Sequence, residues 1–197
     1  MNAQGKRSGE TAREYAYRMI REQVISLELK PGEAFNDMEF AAKIGVSRTP
    51  VREAVIQLSE ESRIIEIFPQ RGMRIAPIDV ELVEEARSLR VLLEKQIAGM
   101  CCEMATEEDI KWLQENVGLQ EFYMENSRPE MVMQLDDEMH HKLFMICHRE
   151  LTYGMCQKLA IHYDRIRSLS VNTVKDNTII EDHRKIIQFI AEHKKEN

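Results

Sequence analysis

The sequence predicts a mainly α protein in two parts: three helices closed by a short hairpin, then a bundle of helices alone. Three observations predict it. Apolar residues recur at spacings of three and four along most of the chain, which is helical periodicity. The strand-like runs are confined to Ile64-Ile65-Glu66-Ile67 and Met73-Arg74-Ile75, on either side of Pro69-Gln70-Arg71-Gly72. The charge also changes at this point. Residues 1–77 carry 12 Lys and Arg against 11 Asp and Glu, net +1, and residues 78–197 carry 15 against 23, net −8. We therefore set the boundary at Pro77-Ile78-Asp79, giving parts 1–77 and 78–197.

Tyr17, Ile20, Val24 and Leu27 predict a first helix over 12–29, ended by Lys30-Pro31-Gly32. Phe40, Ala41 and Ile44 form the apolar face of a short second helix. Asn36 or Asp37 can cap its start, and Gly45 ends it at a tight turn. Ser47 is the expected N-cap of a third helix, and Pro50 falls in the first turn, where its missing N–H is harmless. Val51, Ala54, Val55 and Leu58 make its buried stripe. From Asp79 onward no strand signal returns. Val83, Ala86, Leu89, Leu93 and Ile97 mark one helix, and Thr106 with Asp109 can cap another that carries Ile110, Leu113 and Val117. Helices over 132–147, 151–170 and 178–193 complete the expected bundle.

Composition narrows the function classes. With 43% apolar and 31% charged residues among 197, the chain reads as globular. No run approaches the roughly 18 apolar residues of a membrane helix. The start MNAQGKRSGETAR lacks the apolar core of a secretory signal, so the expected location is cytoplasmic with no membrane partner. Cys101, Cys102, Cys147 and Cys156 have neither zinc-knuckle spacing nor disulfide density, and read as reduced core residues. Nothing near the Cys101-Cys102 pair marks a reactive thiolate. The acidic second part would be repelled by a phosphate backbone, so any nucleic acid must meet the first part.

Helix, turn at Gly45, helix and hairpin is the order of a winged helix-turn-helix, whose second helix enters the major groove. Arg48 and Arg52 flank Thr49 at the start of that helix, and Thr49 and Arg52 point away from the apolar stripe. An arginine fork pairs bidentately with guanine or phosphate. Arg71 and Arg74 in the hairpin could reach a phosphate or the minor groove. Taken alone, two arginines on a helix are equally a solvated face.

The segments KPGEAF, FAAKIGVSRTPVREAV and QRGMRI closely resemble the winged-helix domain of the GntR family of bacterial transcription regulators, over residues 12–76. The resemblance implies that Ser47, Arg48, Thr49 and Arg52 contact operator DNA, with Arg71 and Gly72 of the wing assisting. One departure stands out: the family's Glu-Gly-Leu step is Glu61-Ser62-Arg63 here. The missing glycine implies a stability cost of about 1 kcal/mol.

In the helix expected over 132–147, Leu135, Met139, Leu143 and Ile146 form the apolar ridge, with Asp136, His140 and Cys147 on its flank and His141 and His148 on the polar side. A carboxylate and an imidazole one turn apart can share a divalent ion, or simply hydrogen-bond to each other. His183 falls within a stripe of Ile180, Ile187 and Ile190, where a histidine needs a partner. His162 and His193 are less constrained.

Residues 79–197 resemble the FadR-type C-terminal ligand-binding domain, FCD, through RVLLE at 90–94, DDEMHHKL and EDHRKII. The resemblance implies an all-helical effector-binding and dimerisation domain in which one Asp and three His hold Zn²⁺, Ni²⁺ or Mn²⁺. A small organic acid effector binds beside that metal. Asp136, His140 and His183 match three of the four ligands. The family's fourth sits in a terminal helix, and this sequence stops at Asn197 before it. The alternatives are a fourth ligand supplied by residues beyond Asn197, three ligands with water, or a metal-free pocket. Arg90, Arg165 and Arg167 are the candidates to meet the effector carboxylate.

The expectation is a homodimeric regulator on a palindromic operator, and not an enzyme. A metal-dependent hydrolase using Asp136, His140 and His183 is the competing class, and no further side chain is placed as its general base.

Overall fold

Thr11 opens the first helix. Its hydroxyl accepts from the Glu14 amide, and the Glu14 carboxylate accepts from the Thr11 amide, a capping box that starts α1 at Ala12–Ile25. The computed structural model describes residues 5–173 and 178–192. The backbone divides into two compact units, residues 1–83 and 84–197.

In the first unit, α1 is shorter than its periodicity predicts, because Ser26 caps it and Leu27 turns left-handed at φ 64°. Its buried face is Tyr15, Ala16, Met19, Ile20, Gln23 and Val24. Tyr17 lies on the flank and donates to Glu61. Next come β1 (Ala34–Phe35), α2 (Asp37–Ile44), α3 (Arg48–Ser62), β2 (Ile65–Phe68) and β3 (Gly72–Ile75). The sheet runs β1-β3-β2, antiparallel throughout, with Ala34 opposite Arg74 and Ile65 opposite Ile75. β1 is an addition to the predicted hairpin.

α2 and α3 are joined as the sequence requires. Asn36 caps α2 by accepting from the Met38 and Glu39 amides, and Gly45 ends it at φ 73°. Ser47 occupies the N-cap of α3 without a side-chain capping bond. Val51, Ala54, Val55 and Leu58 are fully enclosed, together with Ala16, Ile20 and Val24 of α1. Each large side chain buried this way is worth about 1.5–3 kcal/mol. At the end of α3 the left-handed residue is Arg63, at φ 54°. Ser62 completes the helix instead, its hydroxyl donating to the Leu58 carbonyl at 2.9 Å. The strain of the missing glycine therefore falls on Arg63.

The second unit contains α4 (Val80–Met104, which begins before the division), α5 (Glu107–Glu125), α6 (Pro129–Ile146), α7 (Glu150–Leu159), α8 (Ile161–Thr173) and α9 (Thr178–Ala191). The single helix expected over 151–170 is broken at Ala160, although no proline or glycine lies there. Enclosure of Ala160, Ile161 and His162 at the break shows that tertiary packing sets it. α5 packs against α6 and α9, and α6 against α8. Leu113, Val117, Met139, Leu143, Phe144, Ile180, Ile187 and Ile190 fill the core with Cys101, Cys102 and Cys147. Cys156 is also buried and free. Among the described residues, no helix is long and apolar enough to cross a membrane.

Candidate functional site

Arg48, Thr49 and Arg52 all lie exposed on the first turns of α3, with Ser47 exposed just before them; Thr49 and Arg52 face away from the buried stripe, and Arg48 lies at its edge. Arg71 and Gly72 are exposed at the hairpin turn, where Gly72 takes φ 100°. Arg74 differs: it is paired with Glu66 across the hairpin, and its guanidinium lies 5.2 Å from the Phe68 ring centre. Asp37, by sequence a candidate cap of α2, has a further role in the fold. It is buried and accepts a hydrogen bond from Arg48 Nε at 3.0 Å, with Arg52 Nη1 at 4.0 Å from the same oxygen.

In the second unit, the fold brings Asp136 and His140 of α6 together with His183 of α9. One donor atom from each lies within 4.8 Å of the others, and all three residues are buried. His183 Nε2 is 3.5 Å from Asp136 Oδ1, and His140 Nε2 is 3.9 Å from Asp136 Oδ2. The two rings cross at 80°, with centres 5.5 Å apart. His162 is buried on α8 and is not in this group. His193 lies outside the described residues.

The nitrogens facing away from this centre explain its orientation. Gln120 of α5 is fully enclosed; its amide nitrogen donates to Asn116 Oδ1 at 2.7 Å, so its oxygen faces His183 Nδ1 at 3.0 Å. With the amide so oriented, the His183 tautomer that satisfies Gln120 carries its proton on Nδ1, and its Nε2 then presents a lone pair toward Asp136. Burial pushes His183 down to about 4, so the ring is neutral at pH 7. A neutral imidazole lone pair facing a carboxylate oxygen leaves two acceptors opposed, an arrangement that a cation between them would satisfy. His140 Nδ1 lies 3.3 Å from Glu94 Oε2, without the alignment of a hydrogen bond. The donor set fits a divalent ion of intermediate softness.

The charge balance around the centre is acidic, with the carboxylates of Glu94, Asp136, Asp137 and Asp164 against the guanidinium groups of Arg90 and Arg167. Arg167 of α8 contacts Asp136 Oδ2, and its Nη1 donates to Asp137 and Asp164 at 2.9 Å each. Burial alone would push the Asp136 carboxyl up, but Arg167, His140, His183 and Arg90 outweigh it and hold it below the usual carboxylate range. Arg90 donates to Glu94 at 2.9 Å, leaves Nη1 without a hydrogen-bond partner, and shares the Tyr163 ring with Arg167. Arg165 is fully enclosed about 200° around α8 from Arg167. Burial pushes it down to about 10. A cavity of about 750 Å³ opens between α4 and α9, with Leu92, Met100, Ile186, Phe189 and His140 in its walls.

Gln120 and Glu94 are the residues that the sequence reading missed here. Gln120 had a visible signal, since it interrupts the stripe of Leu113, Val117 and Met124.

Residues 12–75 match the family described as bacterial regulatory proteins, gntR family, and residues 85–197 match the FCD domain. The chain belongs to the GntR family. It is a DNA-binding transcription regulator with an FCD domain, and not an enzyme. The HTH-type transcriptional repressor RspR of Escherichia coli (strain K12) is 30% identical over 158 residues, 80% of this chain and 69% of that one. The Nta operon transcriptional regulator of Aminobacter aminovorans is 31% identical over 126 residues, 64% of this chain and 59% of that one. Among solved structures, E. coli McbR/YncC aligns with a TM-score of 0.75 at 18% identity, covering 94% of this regulator and 88% of that chain. That last likeness concerns the fold alone.

Proposed function

We propose that this GntR-family regulator binds a palindromic operator as a homodimer and responds to a small organic acid held beside a divalent metal, Zn²⁺, Ni²⁺ or Mn²⁺. Residues 1–77 are the DNA-binding domain, working in the cytoplasm, and 78–197 the effector and dimerisation domain. Ser47, Arg48, Thr49 and Arg52 meet the operator, with Arg71 and Gly72 at the wing. Asp136, His140 and His183 hold the metal. The observation that carries this reading is the opposed pair of acceptors, His183 Nε2 and Asp136 Oδ1, with His183 fixed from behind by Gln120.

The metal, when bound, supplies a fixed positive charge that a carboxylate oxygen can coordinate. The protein's own groups do the rest. Gln120 orients the His183 ring, Glu94 lies beside His140, Arg167 keeps Asp136 ionised, and Arg90 Nη1 offers a second donor to an acid. The cavity that His140 helps to line supports an entry route for a small molecule. Exposed Leu151, Met155 and Leu159, one turn apart along α7, support a protein-covered face in the dimer. Effector control then requires only that the acid bind the operator-competent and incompetent arrangements unequally.

A metal-free pocket is the second reading, and the Arg167 contact to Asp136 favours it, because that guanidinium already supplies a cation. Elemental analysis of protein purified without chelator separates the two: one metal per chain supports the first reading, and none supports the second. Fluorescence anisotropy on a duplex selected from a randomised pool and on a scrambled duplex, with metal or with chelator, tests the whole. Absence of any sequence selectivity would overturn it.

A further inference from the structure

Resting on the reading of Arg48 and Arg52 as operator contacts, we propose that Asp37 is a positioning residue that sets sequence specificity. It orients the Arg48 fork and suppresses indiscriminate phosphate binding by α3.

Asp37 is the first residue of α2, where the helix N-terminus favours a carboxylate, yet only 3% of it is exposed. A buried carboxylate needs partners. Its partners come from the recognition helix: Oδ2 accepts from Arg48 Nε at 3.0 Å, and Arg52 Nη1 stands 4.0 Å away. Arg48 and Arg52 are themselves open to solvent, their side chains 56% and 63% exposed. One inward carboxylate thus holds the inner edge of the Arg48 fork and stands near the tip of a second outward cation, Arg52.

Which part of Arg48 is held matters. A guanidinium can offer an acceptor pair either its Nε/Nη edge or its two terminal Nη groups. With Nε engaged by Asp37, the terminal pair is the edge left to pair with guanine O6 and N7. An exposed arginine without that anchor would sample many rotamers and settle on whichever phosphate is nearest, a contact that carries no sequence information. Asp37 also places a negative charge beside two cations facing the DNA, which lowers their general attraction to phosphate. Both effects act in one direction: they raise the ratio of specific to non-specific binding.

The test uses the full chain. Wild type selects a consensus duplex from a pool with a randomised core, and anisotropy then measures binding to that duplex and to a scrambled one over a salt series. Asp37→Ala removes the anchor, places a good helix former in the first turn of α2, and frees Arg48 to water, so the fold should be kept; circular dichroism and a thermal melt check this. The expected result is a fall of at least about fivefold in the consensus-to-scrambled ratio, the lower end of what one bidentate base contact discriminates. Scrambled DNA should bind as tightly as before or tighter, with a steeper salt dependence. Asp37→Asn, which keeps an acceptor oxygen in the same shape, should recover part of the ratio, and it serves as the test if the alanine variant does not fold. A ratio within about twofold of wild type in a folded variant overturns the proposal, and so does equal weakening on both duplexes, which is what a purely structural role would give. Failure of wild type to select any consensus overturns the DNA-contact reading itself, and the proposal with it.

Discussion

Arg167 is the side chain whose loss should disturb the second unit most. Its own side chain is 13% exposed, and two of its carboxylate partners, Asp136 and Asp164, are 12% and 4% exposed. The third, Asp137, is 43% exposed, and its pairing is worth at most about 1 kcal/mol. Replacement by methionine keeps much of the aliphatic stem and removes the charge. Breaking the buried pair leaves Asp136 enclosed without its principal cation, which costs about 3–5 kcal/mol. Trp112, the single tryptophan of the chain, lies in α5 beside the core of this unit, so urea unfolding followed by its fluorescence reports on this unit alone. In chelator the Arg167→Met variant should lose about 3–5 kcal/mol relative to wild type. Zn²⁺ should stabilise the variant more than it stabilises wild type, because the ion then supplies the charge that Asp136 lacks. A loss below about 1 kcal/mol in chelator would show that Asp136 does not depend on Arg167, and the charge balance argued for this centre would be wrong. Equal stabilisation of both proteins by Zn²⁺ would count against a metal on Asp136.

Three further outcomes follow from the same geometry. Gln120→Leu removes the acceptor for His183 Nδ1, so the ring can adopt either tautomer; competition with a chromophoric chelator should show metal affinity lowered by about 10–100-fold. Asp109 is pushed up by burial but held down to about 2 by Lys142 and Thr106, so its stabilisation is present above the ordinary carboxylate range and is lost as pH falls from about 4 toward 2. Asp109→Asn should therefore cost about 1–2 kcal/mol at pH 7, with the gap closing across that window in tryptophan-monitored urea melts. Cys101 and Cys147 lie 3.5 Å apart in the core, with both thiols pushed up by burial, so iodoacetamide at pH 8 should label them only after unfolding, as read by mass spectrometry.

The first unit was legible because its signals are local. The cap at Asn36, the left-handed Gly45 and the apolar stripe of α3 each involve residues a few positions apart, and each appears where its spacing puts it. What could not be read depends on residues far away in sequence. Ala34-Phe35 becomes a strand only because β3 offers it a free edge. Leu27 carries the right period for α1 but turns out of it. The chain breaks at Ala160 with no local breaker, because enclosing that segment satisfies the core better than an unbroken helix. The FCD and gntR matches span the segments that carry the ordered motifs, so family membership was legible where individual contacts were not.

For the site, the distinction is between residues that violate a local pattern and residues that do not. His183 stands out because it interrupts an isoleucine stripe, and Asp136 and His140 because they share one flank of α6. Gln120 and Asn116 violate the pattern of α5 equally, as polar groups among its buried residues Leu113, Val117 and Met124, and the same rule applied there would have found the group that orients His183. Arg167 and Asp37 violate nothing. An arginine on a helix flank and an aspartate beside a cap are ordinary in sequence, and they become buried partners only when an element 30 residues away, in one case, or 11, in the other, packs against them. Searching buried helix stripes for polar intruders therefore recovers the acceptors and ligands of such a centre. It cannot recover the cations that neutralise them, since an arginine reaches its partner with a stem long enough to start from almost any face.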